Sequence, residues 1–208
     1  LYKTFVKADL IATDCRTAEL SKLIENSFRD VNIAFANELS LICDKLAINV
    51  WELIKLANRH PRVNILKPGP GVGGHCIAVD PWFIAYADPA NSALIQTARK
   101  VNQDKTNWII KIIEKRIKIL EKKYERNINI GCFGLSFKPD IEDLRESPAL
   151  FIVNKLIENG HQVFVSEPNI SNYSEFKLYE TDQVLEKSDL LVFLVSHSFY
   201  KNINTLNK

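Results

Sequence analysis

NINIGCFGLSFKPDIEDLRESPALFIVNKLIENGHQVFV, residues 127–165, holds the pattern that decides the fold. Ile128 to Phe133 is an apolar run of strand length, and Gly134 opens a loop behind it. Ser147-Pro148 then starts a helix: serine is a favoured cap, and proline at the first helical position lacks only an N–H that has no partner there. Gly160 is the residue type that closes a helix, and Gln162 to Val165 reads as a second strand. Downstream, a short helix is expected over Thr181 to Lys187 and a third strand over Leu190 to Val195. Strand, helix, strand, helix, strand is the order of an open α/β sheet with parallel strands.

Upstream of Asn127 the chain reads as helical. Thr17 is expected to cap a long helix, with Glu19 in its first turn, where a negative charge suits the helix dipole. Leu20, Ile24, Val31, Phe35, Leu39, Ile42 and Leu46 recur at helical steps, with no Gly or Pro from Thr17 to Ala47. Asn49-Val-Trp-Glu52 has the form of a capping box and opens a second helix to about Asn58, which His60-Pro61 stops. Residues 67–81, KPGPGVGGHCIAVDP, form a loop that contains Gly69, Gly71, Gly73 and Gly74. Asn91 or Ser92 then caps another long helix to about Tyr124. The opening residues, LYKTFVKADLIAT, show no element of their own and lack an initial methionine. The expected organisation is therefore the end of another domain or a linker over 1–16, a helical central domain over 17–125, and a truncated, incomplete Rossmann-like α/β domain over 126–208: a fold of the α + α/β class.

Lys and Arg number 27 against 25 Asp and Glu, so charge gives no warrant for a nucleic-acid or membrane-surface partner. The longest apolar runs, such as Leu190 to Val195, are too short to cross a bilayer, and no signal-peptide pattern opens the chain. Cys15, Cys43, Cys76 and Cys132 are scattered, with no CxxC pair or Cys/His cluster to suggest zinc. A reduced, cytoplasmic protein with free thiols and no metal is expected.

Cys76 is the first candidate for chemistry. It lies in the glycine-rich loop beside His75 and four residues before Asp80, a setting in which a thiolate can act as a nucleophile. A turn holding an inert thiol fits the same letters. GVGG lacks the Lys-Ser/Thr of a phosphate loop. Lys22, Asn26 and Arg29 share one helical stripe, which can offer donors to an anionic ligand or be a solvated face. His60 and Arg62 sit at a helix end, where basic residues often serve the terminal carbonyls. Lys138 and Arg145 follow the first strand, at the edge where open sheets place ligands, although the glycine spacing there is not that of a dinucleotide loop.

The stretch TAELSKLIENSFRDVNIAFANELSLICDKLAINVWELIKLANRHPRVNILKPGPGVGGHCIAVDPWFIA resembles the central helical domain and cysteine loop of the nucleotide-sugar dehydrogenases, the family of UDP-glucose and GDP-mannose dehydrogenases. NINIGCFGLSFKPDIEDLRESPA resembles the start of that family's UDP-binding domain. The run HPRVNILKPGPGVGGHCIAVDPWFI is closest to the branch acting on UDP-N-acetylhexosamines, with UDP-N-acetyl-D-mannosamine the first expected substrate and UDP-N-acetylglucosamine the second.

The resemblance implies NAD-dependent oxidation of the sugar C6 alcohol to a carboxylate, through a thiohemiacetal and a thioester on Cys76. It assigns Lys22, Asn26 and Asp80 to the catalytic set, with Lys22 and Asn26 also touching substrate. Arg29, His60, Arg62, Gly73, Phe137 and Lys138 would contact the nucleotide sugar, and Arg145 would reach NAD. It also implies a homodimer through the long helices and a product destined for bacterial surface polysaccharide. The family's GxGxxG-bearing NAD domain is not matched in these residues, so the polypeptide alone is expected to lack dehydrogenase activity. An inactive UDP-sugar-binding remnant is the alternative.

Overall fold

The computed structural model describes residues 2–203. After a 3-10 turn at Tyr2–Thr4, four helices follow: α1 (Cys15–Leu46), α2 (Val50–Ala57), α3 (Asp80–Ala87) and α4 (Ala93–Tyr124). Then β1 (Ile130–Phe133), α5 (Pro148–Glu158), β2 (Val163–Ser166), α6 (Thr181–Lys187) and β3 (Leu190–Phe193) build the α/β part, with a closing 3-10 turn at Ser198–Asn202.

The cap of α1 is Asp14 rather than Thr17. Asp14 accepts the Thr17 N–H at 3.1 Å and the Thr17 hydroxyl at 2.6 Å, so Glu19 falls beyond the first turn. Both residues are cap formers, and the aspartate prevails because its two oxygens take both donors of Thr17. Asn49 caps α2 as expected, accepting from the N–H groups of Trp51 and Glu52. Helix α3 was not anticipated from sequence: Asp80-Pro81 reads as the end of the loop, whereas Pro81 stands in the first turn of a helix, where proline is tolerated. Ser92 precedes α4 without capping it, its hydroxyl instead taking a hydrogen bond from the Gln96 amide at 2.9 Å.

Helices α1 and α4 pack on each other through a buried seam that is largely polar. Arg99 pairs with Asp30 at 2.7 Å, Asn102 donates to Asp30 at 2.8 Å, Asn37 donates to Asn102 at 2.8 Å, and Lys105 donates to Ser40 at 2.8 Å. The small residues Ala34, Ala36 and Cys43 complete this face of α1. The apolar stripe of the sequence therefore does not form a core within the chain: Leu20, Ile24, Phe35, Ile42 and Leu46 are exposed.

The three strands are parallel in the order β2-β1-β3. On the central strand, Ile130 and Cys132 enter a core with Ile152, Val153 and Leu156 of α5, while Phe133 joins Val184 of α6 and Tyr200 in a second cluster. Ile113 and Ile117 of α4 are part of the first core. Helix α4 thus begins against α1 and ends against α5, in the core that α5 shares with β1, joining the two parts of the molecule.

Candidate functional site

Cys76 occupies the turn that leads into α3: its carbonyl accepts the N–H groups of Val79 at 3.0 Å and Asp80 at 2.8 Å, and its side chain is half-buried. Beside this turn lies α1. Asn26, only 1% exposed, donates its amide to Asp80 at 2.5 Å and accepts from the Arg29 guanidinium. These two partners fix which end of the amide faces which way. One turn earlier on α1, the exposed Lys22 pairs with Glu25 at 2.8 Å. The hydrogen bond that Lys22 donates to Glu25, together with the Glu25 charge, holds the Lys22 ammonium above its ordinary range, and the Cys76 sulfur acts in the same direction.

The loop between β1 and α5 closes on the cysteine turn from the other side. The Gly74 N–H donates to the Arg145 carbonyl at 2.9 Å. Gly74 has φ +85°, and a Cβ there would stand 2.8 Å from the Phe137 ring. A Cβ on Gly73 would meet the Glu146 carbonyl at 2.4 Å. The space beside these glycines is thus filled by the protein's own loop, and glycine is required so that the two loops can touch. Asp143 lies 3.8 Å from His75 and forms a two-pronged pair with Arg145, at 3.0 Å to Nε and 2.6 Å to Nη2. Hydrogen bonds from Arg145 pull the Asp143 carboxyl down to about 2. Arg145 is itself raised, first by Asp143, with Cys76 adding to the effect. Two cations, one from α1 and one from the loop, therefore stand within electrostatic reach of the sulfur.

A cavity of about 810 Å³ opens at the carboxyl ends of β1 and β3, lined by Lys67, Phe137, Lys138, His197 and Tyr200 among others. From β1 the chain passes to β2 on one side and later returns to β3 on the other, so this crevice is the switch point where open α/β sheets bind ligands. Its volume suits a small-molecule site. Lys138 is exposed, its ammonium 5.6 Å from the Phe137 ring centre. His60 and Arg62 are exposed in the turn after α2, where the His60 ring accepts the Arg62 N–H at 3.3 Å. Among the described residues, neither forms a hydrogen bond or ion pair with the Cys76 group.

Sequence reasoning passed over Asn32 and Asn37. Asn32 donates to the Asn64 carbonyl and accepts the Leu66 N–H, both at 2.9 Å, and Asn37 accepts the Gly69 N–H at 2.9 Å. They pin to α1 the irregular segment that enters the glycine loop. The signal was present, since asparagine in a helix interior is unfavourable unless its side chain has other work.

Among the described residues no group of three His, Cys, Asp or Glu side chains is placed to hold a metal ion, and no helix is long and apolar enough to cross a membrane. A dinucleotide finds no fit either: the β1–α5 loop lacks the glycine spacing that lets a pyrophosphate approach a helix N-terminus, and Arg145 is engaged by Asp143.

Residues 16–104 match the central domain of the UDP-glucose/GDP-mannose dehydrogenase family, and residues 131–208 match its UDP binding domain. Helix α4 bridges the interval between the two. The UDP-N-acetyl-D-mannosamine dehydrogenase of Campylobacter jejuni is 57% identical across 99% of this chain and 51% of its own length. That of Escherichia coli K12 is 54% identical across 98% of this chain, again over 51% of its own length. The structure of the UDP-N-acetyl-mannosamine dehydrogenase of Staphylococcus aureus superposes with a TM-score of 0.85 at 44% identity, covering 98% of this chain and 47% of the other. The chain thus spans about half the length of the curated relatives it matches.

Proposed function

Because the chain belongs to the UDP-glucose/GDP-mannose dehydrogenase family, we propose that it forms the substrate-holding, cysteine-bearing part of a nucleotide-sugar 6-dehydrogenase acting on UDP-N-acetyl-D-mannosamine. The observation that supports this reading is that α1, through the Asn26–Asp80 hydrogen bond, and the β1–α5 loop, through the hydrogen bond from the Gly74 N–H to the Arg145 carbonyl, meet at the turn that holds Cys76.

In the proposed chemistry the Cys76 sulfur adds to the C6 aldehyde carbon. A carbon–sulfur bond forms, and the carbonyl π pair moves onto oxygen as an alkoxide, which takes a proton to complete the thiohemiacetal. Lys22 faces that oxygen. Lys22, paired with Glu25, serves there as a cation and proton donor. Asn26, oriented by Arg29 and Asp80, has one amide hydrogen left for the same oxygen. After oxidation to the thioester, water releases the uronate and restores the thiol. NAD is the proposed oxidant of the whole protein; no step and no contact with it is assigned to the residues described above.

The nucleotide is proposed to occupy the cavity at the ends of β1 and β3, held by Phe137 and Lys138, with Arg29, His60, Arg62 and Gly73 as further substrate contacts. The working form is proposed to be a cytoplasmic homodimer joined through α1, and the product a precursor of surface polysaccharide. Unpaired thiols at all four cysteines suit a reducing compartment.

The test uses Cys15 as an internal control, since it is exposed and lies outside the site. UDP-N-acetylmannosamine should slow alkylation of Cys76 by iodoacetamide while Cys15 reacts at an unchanged rate, both followed by peptide mass spectrometry. Stronger protection by UDP-N-acetylglucosamine would reassign the sugar. Equal Cys76 rates with and without either nucleotide sugar would overturn the proposal.

A further inference from the structure

His197 and Glu167 lie fully buried at the carboxyl ends of β3 and β2, far apart in sequence and outside the chemistry assigned to Cys76. The Asp140 N–H donates to His197 Nδ1 at 2.9 Å. A backbone amide can only donate, so Nδ1 carries a lone pair and the ring proton resides on Nε2. Nε2 lies 3.1 Å from Glu167 Oε2 and 3.3 Å from the Ser136 hydroxyl. The same Glu167 oxygen accepts the N–H groups of Leu135 at 2.7 Å and Ser136 at 3.2 Å, while Oε1 accepts the Asn169 N–H at 2.9 Å. The Ser136 hydroxyl in turn donates to the Lys138 carbonyl at 2.8 Å. The segment Ser136–Asp140 is thus held at both ends by one buried pair and in its middle by its own Ser136 hydroxyl. Phe137 and Lys138 lie within it, and His197 lines the same cavity.

A buried ring and carboxylate with several partners each form a stiff support, because any alternative arrangement leaves polar atoms unpaired away from water. Asp140 has φ +60°, a conformation that side chains other than glycine adopt reluctantly, and its carboxylate is anchored to the Ser198 N–H at 2.8 Å and hydroxyl at 2.7 Å. The loop is therefore fixed from outside rather than by its own preference. We infer that His197 is a positioning residue for nucleotide binding: oriented by Glu167, it fixes the Ser136–Asp140 backbone so that Phe137 and Lys138 line the cavity. This rests on the proposal that the cavity takes the UDP moiety.

The experiment measures loop order and ligand affinity separately in the whole chain. His197→Ala should speed amide hydrogen exchange at residues 136–140 and weaken binding of UDP, followed by calorimetry, by about tenfold or more. His197→Asn, which returns an acceptor near the Nδ1 position, should restore much of both. Long-range nitrogen NMR of the unaltered chain should show the Nε2-protonated tautomer, a reading that requires no variant if His197→Ala fails to fold. Unchanged exchange in His197→Ala, or the other tautomer, overturns the inference. So does faster exchange with undiminished UDP affinity. Failure of the unaltered chain to bind UDP sinks the nucleotide assignment itself, and the exchange and tautomer results then decide the loop support alone.

Discussion

Asn26 shows how much of the site a single side chain carries. It is buried on α1, gives a hydrogen to Asp80 of α3 and takes one from Arg29. Asn26→Ala removes both partners at once, leaving the Asp80 oxygen without the donor that reaches it from α1. Asp80 is half-buried and Arg29 exposed, so the expected loss is about 0.5–1.5 kcal/mol of stability, the net worth of a hydrogen bond whose partners water can reach, read as a lowered urea midpoint. A midpoint within error of the unaltered chain would mean that solvent replaces the amide. The stripe Lys22, Asn26 and Arg29 was legible because helical spacing brings such residues together. The Asn26–Asp80 contact was not, since it joins positions on separate elements through packing of α1 on α3, a helix hidden behind Asp80-Pro81. The same holds for His197 and Glu167: each follows a different strand, and only the parallel order of the sheet makes them neighbours.

At the scale of elements, the α1–α4 pair rests on a polar seam, and Lys105 is its most exposed liability to pH. The ammonium is buried against Ser40 and lies 4.0 Å from the Trp108 ring centre; burial pushes its pKa down to about 8, with the Asp44 charge opposing. Between about pH 8 and the ordinary lysine range, the unfolded chain holds this proton and the folded chain does not. Stability from this group therefore rises with pH across that window and is lost as pH falls through the folded value, by at most about 1.4 kcal/mol per unit. Lys105→Met should flatten the rise relative to the unaltered chain and raise stability at neutral pH, seen in chemical denaturation at several pH values. Parallel pH profiles for the two proteins would contradict it. Most elements were legible because their signals are local: Ser147-Pro148 and Gly160 bound α5 as read, and the three strands lie inside the runs assigned to them apart from Ser166, the last residue of β2. The start of α1 and the whole of α3 were misread where two cap formers, or a loop proline, offered competing boundaries.

Across the whole molecule, the placement of apolar surface is the feature that sequence left ambiguous. A helical period states that one face of α1 is apolar; it does not state what that face meets. In this chain α4 meets the opposite, polar and small-residue face, and Leu20, Ile24, Phe28, Phe35, Ile42 and Leu46 remain exposed along the 32-residue helix. Their steps of three and four residues, with Val31 and Leu39 half-buried between them, keep them on one continuous line. Contiguous apolar surface of this extent marks an interaction site. A second copy of the same helix is the simplest occupant, because a two-fold axis brings identical apolar lines together and leaves no surplus edge. The chain should therefore sediment as a dimer, and Phe28→Asp combined with Phe35→Asp should give a monomer with an unchanged far-ultraviolet circular dichroism spectrum. Both side chains are exposed, so the change falls on the association and not on the internal seam of Asp30, Asn37 and Ser40 with α4. A chain that remains monomeric across the micromolar range would assign this face to a different polypeptide.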